Sequence, residues 1–464
     1  MGIYFSFENY TKYHNYLVLS VISLLFFYFF YGINYMGGFK NLTFFKSQEK
    51  YAEQFMIHQI FCYFGTAIMS YLSYLKVDKK EEDNLSIEDY HKIASNKNTI
   101  VSIVYSHAKE QKISYSFFIF IIFCWVFLDQ AIENKFIGFF PNMDFWMLEL
   151  IILTFLNAKI FKISIYRHHL FAIFFNLLPI LLKVMNLYNT FKGSKPPEEG
   201  QSKYSNEDGG LKPLYVVYWY FIFIGIIIYL CLITLRAYVY IQLKYFMDLK
   251  YVSPNKLLLI YGLTGGILYS SICTFTTFVK CDDSEELNIY DYICSVKNNT
   301  NNTNNTDNTN NIYYTNITNN TNNNDKYFAN FIFYFTTSND FRDILSEIFT
   351  VFLEIQGFYF YKFFMSLSIH YLTPVHVLFI LPVSYFFRKI IIIATNIYMF
   401  DFNFISHADW GQFTLDTLGD IFSIIGFLIY LEILQISFCK LNYNVRNKII
   451  ERSKTEIYEL LENY

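Results

Sequence analysis

Apolar residues in this chain come in long unbroken blocks, separated by short polar stretches, with no alternation of the kind a β-strand shows. Roughly 20 apolar residues make a helix long enough to cross the hydrocarbon core of a bilayer. Ten such blocks follow one another: 16–36, 55–75, 113–128, 145–161, 170–188, 214–235, 257–279, 348–369, 375–394 and 415–434. Lipid offers the backbone no hydrogen-bond partner, so each block must be a helix if it spans. The pattern therefore predicts an all-α, polytopic transmembrane helical bundle of about ten spans. It divides into two five-helix halves, 1–188 and 214–440, with a connector over 189–213 and a tail over 441–464. The connector holds Pro196, Pro197, Gly209 and Gly210, which suit a flexible link. The tail mixes Ile449, Ile450, Ile457 and Leu460 with charges and reads as an amphipathic cytosolic helix.

Composition supports this class. Of 464 residues, 54% are hydrophobic and only 16% charged, against about 25% charged in soluble domains. The 53 Phe and 42 Tyr fit lipid-facing and interfacial positions better than ligand cages. No basic patch interleaves with exposed aromatics, so no nucleic-acid partner is expected. The partners expected are the lipid bilayer and a small-molecule solute, with no cofactor.

Charge position, not net charge, sets orientation. With the amino terminus in the cytosol, the inner loops collect Lys76, Lys79, Lys80, Lys92, Lys97, Lys109 and Lys112, then Lys159, Lys162 and Arg167. Arg236, Lys244, Lys250 and Lys256 follow, in a basic amphipathic stretch expected to lie along the inner interface. The first block has no small-residue cleavage site and reads as a retained helix. Together these features predict a multi-pass integral membrane protein of the secretory pathway or plasma membrane.

On this orientation the segment 298–324 lies outside. It is Asn/Thr low complexity and cannot pack a core. Its sequons begin at Asn298, Asn301, Asn304, Asn316 and Asn319, so glycosylation is expected there. Cys281 and Cys294 share the same outer loop, where a disulfide is expected. The other cysteines lie in or beside the apolar blocks, and no cysteine pair has metal-ligand spacing.

Chemistry is sparse. There is no metalloprotease helix, phosphate-binding glycine loop or nucleophile elbow, and an enzyme is not expected. His168 and His169 are adjacent, the wrong spacing for two ligands on one helical face, and read as helix caps. Charges within the apolar blocks are the better lead, because they are expensive unless they meet a partner or a cavity. Glu149, Lys183 and Glu354 are the substrate-path candidates, with Lys183 expected to pair with Glu149. Lys362, Arg388, Lys389 and Glu432 are expected nearer a surface. His58, Gln59, Asn157, Asn176 and Gln356 are polar companions. Gly262, Gly266 and Ser270, four residues apart, form a strip on which a second helix can approach closely.

Two resemblances rest on particular stretches. AYVYIQLKYFMDLKYVSPNKLLLIYGLTGG from Ala237, YLTPVHVLFILPVSYFFRKIIIIA from Tyr371 and LGDIFSIIGFLIYLEILQISFCKLNYNVRNKIIERS from Leu418 resemble a family of uncharacterised multi-pass proteins of fungi and amoebae. That resemblance covers the second half of the chain and implies a multi-pass topology, naming no functional residue. Ten blocks in two fives, the Thr373-Pro374-Val375 start of the ninth and Gly419 and Gly426 in the tenth are similar to drug/metabolite-transporter-type carriers. The second resemblance implies a secondary transporter of a small solute, moving by alternating access. The rival from another class is a non-transporting scaffold, receptor or lipid-handling protein. Buried, paired charges favour the first, and snorkelling charges the second.

Overall fold

The computed structural model describes residues 3–5, 14–35, 52–78, 115–133, 146–160, 165–193, 220–249, 252–278, 280–281, 326–327, 341–399 and 410–436, with a few positions between 441 and 452. Among these the chain is almost entirely helical. The ten α-helices are α1 (His14–Tyr35), α2 (Ala52–Ser73), α3 (Tyr115–Glu133), α4 (Trp146–Ile160), α5 (Arg167–Gly193), α6 (Tyr220–Leu249), α7 (Pro254–Phe278), α8 (Phe341–Tyr371), α9 (Pro374–Met399) and α10 (Trp410–Tyr430). Each apolar block of the sequence overlaps one of them. Three contain segments long and apolar enough to cross a membrane: His14–Tyr31, Ile226–Asp248 and Pro374–Ile391. That favours a membrane protein.

The sequence sets several helix ends through local capping. Ser253 caps α7, its Oγ accepting the Lys256 N–H at 3.2 Å, with Pro254 in the first helical position. There proline loses nothing, since its N–H would be unpaired in any case. Pro374 likewise takes the first position of α9, where the Thr373 hydroxyl lies 2.8 Å from His376 Nδ1. Here His376 takes the role usually played by glutamate, its Nδ1 accepting the Thr373 N–H at 3.4 Å. The far end of α10 closes with a crossed pair of bonds, Ile433 N–H to Leu428 O and Glu432 N–H to Ile429 O. This geometry needs a left-handed residue, and Glu432 supplies it with φ of 61° where glycine is usual.

The all-α expectation needs one amendment. Ile3–Phe5 (β1) pairs antiparallel with Leu434–Ile436 (β4), Tyr4 opposite Gln435. Lys280–Cys281 (β2) pairs with Lys326–Tyr327 (β3). Neither ladder has a sequence signal, because two or three residues are too few for a period of two to register.

The chain forms two compact units. The first comprises Met1–Leu25, Ser70–Tyr261 and Gly357–Tyr464, the second Phe26–Met69 and Gly262–Gln356. In the first unit, α5 lies along α10, and α4 touches α5, α6 and α9, while α3 packs on α6. The α5–α10 approach is close at Gly426, where an added Cβ would stand 2.9 Å from the Asn176 Cγ.

In the second unit, α7 packs on α2 through its glycine strip. A Cβ on Gly262 would lie 2.6 Å from both the Tyr63 carbonyl oxygen and the Ala67 nitrogen. The two helices therefore meet backbone to backbone, as the small-residue spacing requires.

The basic stretch after Arg236 is not an interfacial helix. It is the second half of α6, continuous to Leu249, with Tyr240, Leu243, Phe246 and Met247 buried. Its charges are accommodated by the end of α8. Lys244 donates to the carbonyls of Ile369, His370 and Leu372, and Asp248 meets the His370 ring at 3.0 Å. Loop 79–112, connector positions 194–213, the Asn-rich segment with its five sequon asparagines, Cys294 and most of the tail lie outside the described residues, as do the side chains of Cys281 and Lys183.

A candidate charge network in the helical core

Four ionisable side chains meet in the core of the first unit. Glu149 enters from α4 and is fully buried. Its partner is Arg236 of α6, whose Nε donates to both carboxylate oxygens at 3.0 and 3.1 Å while Nη2 also donates to Oε2. The fork-on-carboxylate geometry is the strong form of the contact. Glu149 is thus a buried, paired charge as expected from its place in an apolar block; Arg236, expected along the inner interface, is its partner among the described residues.

The second pair is Asp129 of α3 and Lys362 of α8, with Nζ 2.7 Å from Oδ2 and both side chains 1% exposed. The Tyr261 hydroxyl donates to the same oxygen at 3.2 Å. The rings of Tyr361, Phe358 and Tyr261 surround the ammonium at 4.9, 5.5 and 5.6 Å from their centroids. An aromatic shell of this kind compensates part of the lost hydration. Lys362 therefore does not lie near a surface, as its sequence position had implied. An aspartate and three aromatic rings hold it inside. Asp129 has no precursor in the sequence reading, because it falls one residue beyond the third apolar block.

Both pairs are buried in the first unit, and Tyr240, one turn after Arg236 on α6, is buried with them. Two anions face two cations, so the formal charge of the group is zero. Trp125 lies one helical turn before Asp129, its ring 4.3 Å from that of Tyr261. Its buried Nε1–H finds no acceptor among the described residues.

Glu354 belongs to the second unit. It accepts from His58 Nδ1 at 3.0 Å and from the Cys62 thiol at 3.7 Å, both on α2. His58 and Cys62 are four residues apart, which puts them on one helical face. Gln59 is buried too. Elsewhere Lys389 meets Asp420 at 2.6 Å with the lysine a quarter exposed. Among the described residues, the group with spacing for a metal ion is His168, His169 and Glu432.

No family model matches this chain, and neither does any curated protein or any solved structure.

Proposed function

We propose that this chain is a polytopic membrane protein whose ten helices are ten spans, and that it is a secondary transporter of a small polar solute. The observation that carries the reading is the buried network of Asp129, Glu149, Arg236 and Lys362. A bundle that only had to hold itself together could use apolar side chains at these four positions. Such replacements in other proteins are often neutral or stabilising. Four ionisable groups kept away from water fit a polar path, and the buried Trp125 N–H, without an acceptor among the described residues, is a donor open to a solute oxygen.

The outward faces of the helices support the membrane part. On α3, Phe117, Ile119, Phe120, Phe123 and Phe127 are exposed while Asp129 is buried. On α2, Phe61, Ile68 and Leu72 are exposed, and His58, Gln59, Thr66 and Ser70 are buried. Polar residues inside and aromatic or aliphatic residues outside is the arrangement lipid favours. It also accounts for helices of modest mean hydropathy, since their polar residues need not meet lipid.

Solute uptake into proteoliposomes, against a mixed panel of nucleotide sugars and metabolites, tests the proposal. Wild-type protein is expected to accumulate at least one solute. Glu354→Gln and the paired change Glu149→Gln with Arg236→Met are expected to lower that uptake at least tenfold. Correctly inserted, folded wild-type protein that moves nothing on the panel would sink the transporter reading and favour a scaffold or receptor.

A further inference from the structure

We infer that His168, His169 and Glu432 form a binding site for a divalent transition-metal ion of the zinc class, joining the start of α5 to the turn after α10. The three side chains each offer a ligand atom, and these atoms lie within 4.8 Å of one another. A ligand shell closes from that separation by small side-chain rotations, since zinc takes nitrogen and oxygen at about 2.0–2.2 Å. Two imidazoles and a carboxylate form a set that suits zinc and its neighbours and leaves a coordination position for water.

One feature points to an occupant: His168. Its ring is 3% exposed, yet neither nitrogen makes a hydrogen bond among the described residues. Nε2 stands 3.2 Å from Glu432 Oε1, aimed at the carboxylate without the geometry of a hydrogen bond. A buried imidazole in that state is costly unless something takes its lone pair. Glu432, the left-handed cap of α10, presents its carboxylate to that ring from the turn after the helix.

His169 has a competing role. Its Nδ1 accepts the Tyr166 N–H at 3.2 Å, capping α5. A neutral imidazole has one lone pair, so loading through either nitrogen ends that bond and leaves the amide to water. The site thus couples metal binding to the first turn of α5. Tyr430, whose ring centroid is 4.7 Å from that of His169, walls one side.

The site does not depend on the transport reading. The test uses the full chain, purified without a histidine tag, in detergent. Titration with Zn2+ by calorimetry, and with Co2+ by its visible absorption, is expected to give one ion per chain. His168→Ala is expected to weaken binding at least about 100-fold, beyond the 10–100-fold typical of losing an outer partner. Glu432→Gly is the control for folding. It relieves the left-handed strain, so apo protein should melt no lower than wild type while its metal affinity falls similarly. Binding that survives both changes, or folded wild-type protein that takes up neither ion, overturns the assignment.

Discussion

Replacing Arg236 with methionine is expected to destabilise the chain by about 3–5 kcal/mol, the range for stranding one partner of a buried ion pair. Glu149 is fully buried, and Arg236 is the cation bonded to its two oxygens. With the guanidinium gone, the carboxylate must either stay charged without a counter-ion or take up a proton. Glu149→Gln together with Arg236→Met removes both charges and should recover most of the loss. The measurement is unfolding in mixed micelles by denaturing-detergent titration, as a double-mutant cycle. A coupling energy near zero between Glu149 and Arg236 would show that the pair is not a unit. The parallel cycle on Glu149 and Lys183, the partner that sequence proximity proposes, should show the smaller coupling.

The second large effect is expected at Gly262. A methyl group there would meet backbone atoms of α2, the Tyr63 oxygen and the Ala67 nitrogen, each at 2.6 Å. Backbone cannot rotate away, so Gly262→Ala must push α7 off α2. Overpacking of a core costs about 1–3 kcal/mol, and this site belongs at the top of that range. Gly266→Ala is the comparison. Its methyl group would come 2.7 Å from Cε1 of the Phe64 ring, and a side chain can turn. It should lose about 1 kcal/mol, the lower end. Thermal melting of the two variants in detergent separates them. Equal losses would mean that α2 and α7 are not in backbone contact at Gly262.

The two sites differ in how legible they were. The glycine strip is local: a spacing of four puts small residues on one face whatever the rest of the chain does. The charge network is not local. Glu149 stood out because it interrupts an apolar block, and Glu354 for the same reason. Asp129 fell outside its block by one residue, Arg236 looked like the basic flank that a long side chain supplies at a helix end, and Lys362 was expected nearer a surface. Whether such a residue turns inward depends on what faces it, and its neighbours in sequence do not carry that information.

His168 and His169 make the same point. As a pair they have the wrong spacing for a helical metal face, and His169 does cap a helix. The third ligand, Glu432, comes from the turn after α10, and only the packing of α10 along α5 brings it near. By itself the sequence determined where the ten helices of the described residues lie, because apolar blocks long enough to be helices are a property of composition along the chain. It also determined the α7 face that another helix can approach, because helical periodicity fixes which residues share a side. The tertiary structure alone decided which charges are partners. An ion pair forms between groups a few ångströms apart in space, and the helices that carry Glu149 and Arg236, or Asp129 and Lys362, are brought together by packing.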